Sequence, residues 1–212
     1  AAVMMTASHL PPDRNGLKFF TAQGGTSNED MIHILALAED GCTKKATPPK
    51  AAIQVDFLSK YAQQLVDLVR RGANAQDYDH PLAPFRILVD AGNGVGGFFV
   101  EQVLKPLGVD PIGSQFLEPD GRFPNHMPNP EDDDALSSVS QAVTRNSADL
   151  GIIFDTDCDR AAVINRDGTP FARNALVALM SAIVVEEHPG TTIVTDSITS
   201  TGLKTYIEQE LG

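Results

Sequence analysis

The sequence predicts an α/β fold with mixed, largely parallel sheets sandwiched by helices and truncated at both ends. Three observations predict it. Between residues 85 and 165, short apolar runs alternate with amphipathic stretches in a β-α-β-loop-α-β rhythm, the pattern of a parallel sheet flanked by helices. The apolar runs at 150–154 and 161–165 are separated by one short polar loop and read as a hairpin. The strand expected at 1–5 opens directly onto a motif, and the chain stops at Gly212 just as a new strand–helix alternation begins.

Each element follows from its local pattern. Residues 1–5 (AAVMM) form a strand that ends at Thr6-Ala7-Ser8-His9, followed by a polar turn over 10–16. Asn15-Gly16 is a turn signal, and residues 17–21 (LKFFT) make a second short strand. Residues 28–40 have helical spacing, with Met31, Ile34, Leu35 and Leu37 along one side. Residues 41–50 carry two Pro and three Lys and read as a linker. A long amphipathic helix is expected over 52–71, its apolar face formed by Val55, Leu58, Tyr61, Leu65 and Leu68. A polar stretch at 72–80 leads to a strand at 85–90, a helix at 97–107 and a strand at 110–116. After a long loop over 117–132 come a helix at 133–146 and the two hairpin strands. A helix at 174–188, a buried strand at 192–195 and a helix at 201–211 complete the chain. There is no internal repeat and no low-complexity segment.

Composition bounds the function. Asp and Glu number 28 against 16 Lys and Arg, a formal charge of −12, which argues against nucleic acid because a phosphate backbone needs a basic surface. A small phosphorylated substrate, needing only a few local cations, stays open. The two cysteines, Cys42 and Cys158, form no disulfide or zinc framework. A reducing compartment is expected, cytoplasm or plastid stroma. No apolar run approaches the roughly 18 residues that span a bilayer, and no signal peptide is visible.

The strongest chemical signal is Asp155-Thr156-Asp157-Cys158-Asp159-Arg160, directly after an apolar strand. Three alternating carboxylates on a tight loop repel one another without a cation, and oxygen-only ligands favour Mg²⁺ or Ca²⁺ over zinc. An EF-hand would need Gly at position six and Glu at twelve, where this chain has Arg160 and Arg166. A phosphatase with Asp155 as nucleophile leaves the third aspartate and Arg160 without a role. A magnesium site completed by a phosphorylated residue elsewhere uses all of them, since a guanidinium beside the metal holds phosphoryl oxygens. The second signal is Ser8, presented at a strand end before a Pro-rich turn. By itself it reads as a solvated turn residue, and it lacks the flanking glycines of a hydrolase elbow.

Taken together, these motifs resemble the α-D-phosphohexomutase family of phosphoglucomutase, phosphomannomutase and phosphoglucosamine mutase. Ser8 in TASHLPP is similar to the family's phosphoserine motif, Asn15, Gly16 and Lys18 to the Asn-Gly-x-Lys after it, and 155–160 to its metal loop. The run 119–126 (PDGRFPNH) with Pro128-Asn129-Pro130 matches the loop preceding the metal loop. The resemblance implies residues 1–50 as the end of a first domain, 51–165 as a second and 166–212 as the start of a third. It also implies a phosphohexomutase reaction on a hexose phosphate, with one Mg²⁺ held by Asp155, Asp157, Asp159 and a phosphoserine oxygen of Ser8. A sugar bisphosphate would be the activator. Ser8, Arg160 and Lys18 would bind phosphate, with Lys18 and His9 assisting proton transfer or neutralising charge. The sugar-binding and phosphate-gripping loops of the later domains are absent, so this piece alone is expected to be inactive. Leu10 and Thr156 depart from the family's usual Asn and Gly or Pro; Leu at that position resembles plant-type members. Leu10 also leaves open a catalytically retired homologue acting as a binding or assembly subunit.

Two features are read as decoys. Gly92–Gly97 (GNGVGG) satisfies a dinucleotide-binding pattern, with Asp110 near the place of a ribose-binding acid. A tight strand-to-helix turn needs glycines for steric reasons alone. His126 has no second His or Cys in its loop and is expected to be solvated or hydrogen-bonded rather than a metal ligand.

Overall fold

Two small sheets organise the chain in a computed structural model that describes residues 1–6, 13–41 and 51–212. Ser8, His9, Leu10, Cys42 and residues 42–50 of the linker expected at 41–50 lie outside the described residues. The first sheet is antiparallel. Strand β1 (Ala2–Met5) pairs with β2 (Leu17–Thr21) in the register Ala2 to Phe20 through Met5 to Leu17. Strand β3 (Gly24–Gly25) extends it. Helix α1 (Asn28–Glu39) starts at a reciprocal cap: the Asp30 amide donates to the Ser27 hydroxyl at 3.2 Å, and the Ser27 amide donates to the Asp30 carboxylate at 2.9 Å.

The second sheet is the scaffold of the site. Its order is β4 (Ile87–Asp90), β5 (Leu150–Phe154), β6 (Ala161–Asn165), with β4 parallel to β5 and β5 antiparallel to β6. The hairpin expected from 150–165 is therefore present. Helix α3 (Asp133–Asn146), capped by the Asp132 carboxylate accepting the Ala135 amide at 3.0 Å, lies on one face. There Val139 and Val143 pack with Leu88, Ile153 and Ile164, all at 0% exposure. The opposite face carries a helical stretch made of a 3₁₀ turn (Val95–Gly97), a wide-wound segment (Val100–Leu104) and a second 3₁₀ turn (Lys105–Leu107). Val100 and Leu104 pack there against Ile87 and Val89. Helix α2 (Leu58–Gly72) seals this stretch from outside through Ala62 and Val66 on Val103 and Leu107. Burying both sheet faces explains the continuous apolar run Ile87-Leu88-Val89 in β4.

The structure corrects three expectations. The strand expected at 110–116 is reduced to two parallel bridges, Arg86 to Asp110 and Asp90 to Gln115. Between them the chain turns, with the Ser114 amide donating to the Pro111 carbonyl at 3.0 Å and Gly113 at φ +90°. The helix expected from residue 52 starts only at Leu58, because Asp56 accepts the Ser59 amide at 3.1 Å and stops the winding there. Residues 192–195 form no strand: no described strand pairs with them, and Val194 is 87% exposed. Helices α4 (Arg173–Glu187) and α5 (Thr201–Tyr206, continued by Ile207–Leu211) stand as expected. No described helix is long and apolar enough to cross a membrane.

Candidate metal centre

Strand β5 delivers the chain at Asp155 and β6 takes it back at Ala161. The six residues between form a closed loop. The Asp155 amide donates to the Arg160 carbonyl at 3.1 Å and the Cys158 amide to the Asp155 carbonyl at 3.4 Å. Cys158 sits in the left-handed region at φ +63°, which reverses the chain tightly enough to bring alternate side chains together. Asp155, Asp157 and Asp159 each offer a carboxylate oxygen within 4.8 Å of the others. They grade from the sheet outward: Asp155 is buried, Asp157 half-buried and Asp159 exposed.

Arg160 clamps the base of the loop. Its amide donates to Asp155 Oδ1 and its Nε to Oδ2, both at 3.1 Å, while its outer nitrogen lies 3.1 Å from the same Oδ2. Its other terminal nitrogen reaches Asn129 Oδ1 at 3.5 Å. Burial holds the Asp155 carboxyl above the ordinary carboxylate range; the Arg160 amide pulls it down, and the neighbouring Asp159 and Asp157 raise it further. The Cys158 thiol is pushed up to about 12 by burial and by the three surrounding carboxylates, so it is no nucleophile near neutral pH. Three mutually repelling carboxylates, oxygen donors only, fit a hard divalent cation. A further sign of fit is Asp157 Oδ1, which is buried and without a hydrogen-bond partner among the described residues.

The turn with the dinucleotide-like glycine pattern is filled by protein. The Val95 amide donates to the Thr156 carbonyl at 3.0 Å and so fastens the turn to the aspartate loop. A Cβ at Gly94 would come within 2.8 Å of that same carbonyl oxygen, and one at Gly97 would collide with the Leu117 carbonyl. These glycines serve close backbone approach. Around them the 117–130 loop is stitched by Asn93 Nδ2 to the Glu118 carbonyl (2.9 Å) and Asn125 Nδ2 to Asn93 Oδ1 (2.7 Å).

Sequence reasoning missed what anchors that loop. His126 Nε2 lies 3.0 Å from both oxygens of Asp90, at the end of β4, and the side chains are 5% and 0% exposed. Asp90 also accepts the Gly92 amide at 2.9 Å and Gln115 Nε2 at 2.7 Å. Burial pulls the His126 pKa down, but the Asp90 hydrogen bond, the Met127 carbonyl and the charges of Asp90 and Asp132 outweigh it and hold the ring above its ordinary value. His126 is thus hydrogen-bonded, as the sequence suggested, in a pair whose members are 36 residues apart. The available signal was Asp90 itself, an acid closing an apolar strand.

Among the described residues, Thr6 joins the N-terminal sheet to the aspartate loop. The Thr6 hydroxyl, just past β1, donates to Asp157 Oδ2 at 3.3 Å across 151 residues. Of the other sequence-predicted site residues, Asp155, Asp157, Asp159 and Arg160 are brought together, whereas Lys18 lies exposed on β2 opposite Met4. No described ion pair joins Lys18 to the loop. An aspartyl-nucleophile chemistry at Asp155 is disfavoured, because that carboxylate is 1% exposed and clamped by Arg160 at both oxygens.

Residues 59–168 match the phosphoglucomutase/phosphomannomutase alpha/beta/alpha domain II, and residues 1–45 match domain I of the same family. A phosphoglucomutase of Neisseria gonorrhoeae is 30% identical over 212 residues, covering 100% of this chain and 44% of that protein. A phosphomannomutase/phosphoglucomutase of Pseudomonas aeruginosa is 34% identical over 196 residues, 92% of this chain and 40% of that one. Among solved structures, a phosphoglucomutase/phosphomannomutase family protein of Burkholderia thailandensis superposes with a TM-score of 0.80 at 28% identity, covering 99% of this chain and 43% of its own. The chain spans less than half the length of each of these relatives.

Proposed function

The chain belongs to the phosphoglucomutase/phosphomannomutase family, and on that premise we propose that it carries the phosphoserine and metal loops of a phosphohexomutase. The reaction is an intramolecular phosphotransfer that interconverts hexose 1- and 6-phosphates. In domain terms, residues 1–50 end a first domain, 51–165 make the second and 166–212 begin a third.

Ser8 Oγ carries the phosphoryl group. Its P–O bond breaks as a free hydroxyl of the hexose monophosphate takes the phosphoryl. The bisphosphorylated sugar turns over and returns its other phosphoryl to Ser8. Asp155, Asp157 and Asp159 would hold Mg²⁺ together with a phosphoserine oxygen of Ser8, and the cation would supply electrostatic stabilisation of charge on the transferring group. Arg160 holds phosphoryl oxygens. Lys18, and secondarily His9, take the hydroxyl proton or neutralise charge. A sugar bisphosphate primes Ser8, and a reducing compartment, cytoplasm or plastid stroma, suits the two cysteines.

One observation carries this reading. Thr6, two residues before Ser8, is hydrogen-bonded to the central carboxylate of the acidic trio, and two residues span at most about 7 Å of extended chain. The retained charge cluster counts against a retired homologue, since such a cluster is unfavourable without a ligand. The test is phosphoryl uptake. With labelled glucose 1,6-bisphosphate the parent chain should gain one phosphate by intact mass, at Ser8, and Ser8→Ala should gain none. A Ser8→Ala protein that still takes up label would overturn the mechanism. These 212 residues alone should give little or no mutase turnover.

A further inference from the structure

We propose that Thr6 is a positioning residue that orients Asp157 for the cation and ties the serine loop to the metal loop. Asp157 has two carboxylate oxygens with different fates. Oδ2 accepts the Thr6 hydroxyl at 3.3 Å. Oδ1 is buried with no described hydrogen-bond partner. A carboxylate hydrogen-bonded at one oxygen is restrained about its Cβ–Cγ bond, and Asp157 so restrained offers an oxygen within 4.8 Å of ligand oxygens of Asp155 and Asp159. Outer hydrogen bonds of this kind set the direction and basicity of a metal-binding oxygen.

The backbone around Thr6 is built to hold it there. Its amide donates to the Gly16 carbonyl at 3.0 Å, continuing the β1–β2 ladder by one bond. A Cβ at Gly16 would come 2.5 Å from the Thr6 carbonyl oxygen, so only glycine allows the two chains to close at this point. Thr6 and Gly16 therefore form a neck at the two ends of the segment that contains Ser8. The neck fixes the Thr6 hydroxyl relative to β1, and Asp157 fixes the neck relative to β5 and β6. A threonine at this place thus couples two sheets through one hydroxyl, which valine, of the same shape, cannot do.

This inference rests on the cation site proposed above, and calorimetric titration of the dephosphorylated parent chain with Mg²⁺ separates the two. Thr6→Val should bind Mg²⁺ about tenfold or more weakly, in the range found when outer-shell partners of metal ligands are lost. Thr6→Ser, which keeps the hydroxyl, should bind within about twofold of the parent. Both should melt close to the parent temperature; if Thr6→Val does not fold, Thr6→Ala makes the same deletion with a smaller side chain. Equal affinity in the parent and in Thr6→Val would overturn the inference while leaving the site standing. Equal loss in Thr6→Ser and Thr6→Val would overturn it too, because the hydroxyl would then not be the cause. A parent chain that binds no Mg²⁺ would remove the site itself.

Discussion

Replacing His126 with leucine removes one member of the buried pair that holds the 117–130 loop on the end of β4. In the parent, His126 Nε2 is 3.0 Å from both Asp90 oxygens, and the Gly92 amide and Gln115 Nε2 supply the remaining donors at 2.9 and 2.7 Å. His126→Leu leaves Asp90, 0% exposed, with two neutral donors and no counter-charge. Breaking a buried pair from one side costs about 3–5 kcal/mol; because two donors stay on Asp90, the low end applies, about 3 kcal/mol. For a chain of this size that is a fall in melting temperature of about 6–12 °C. The loss also depends on pH with a definite sign. The folded His126 pKa is raised above its ordinary 6.5, so the protonated ring stabilises the fold fully below about pH 6.5, and that contribution fades as pH rises through the folded value. Urea titrations of parent and variant between pH 5.5 and 9 should therefore show the gap narrowing with pH. A gap below about 1 kcal/mol that is flat with pH would refute the reasoning.

Two further predictions follow from the same neighbourhood. Gly97→Ala should destabilise by about 1–3 kcal/mol, since its Cβ would strike the Leu117 carbonyl, whereas Gly121→Ala, with nothing within 4 Å, should stay within about 0.5 kcal/mol; chemical denaturation compares them directly. Cys158, whose thiol is pushed up to about 12 by burial and the surrounding carboxylates, should be alkylated by iodoacetamide at pH 8 at least about thirtyfold more slowly than an unperturbed thiol, since the large loss of thiolate is only partly offset by the greater nucleophilicity of a more basic one. Peptide mapping separates it from Cys42, and fast labelling at Cys158 in the folded protein would contradict the burial and charge around it.

What could be read from the sequence was whatever one segment decides by itself. The aspartate loop was legible because an apolar strand followed by alternating acids determines its own geometry, and the hairpin of β5 and β6 needed only the two runs flanking it. The start of α2 was less so: Val55 fits the helical face by spacing, but Asp56 stops the winding locally through Ser59. The 110–116 segment keeps its place beside β4 at its two ends, while Pro111 and Gly113 break the middle into a turn. Residues 192–195 have strand composition, yet a strand forms only where another edge accepts its hydrogen bonds. The Asp90–His126 pair and the Thr6–Asp157 contact join side chains 36 and 151 residues apart; no local period or spacing encodes such meetings, because tertiary packing creates them.

The contact between Thr6 and Asp157 also has a bearing on the order in which the molecule assembles. A link bridging 151 positions carries a heavy loop-closure cost and forms late, after nearby pairings such as β5 with β6 are in place. During synthesis the acidic hairpin emerges long after the opening strand, so the strand waits for its anchor. On the proposed metal-site reading, a cation captured early by the hairpin would lack the Thr6 tie, and its tight retention would follow only once that contact has closed.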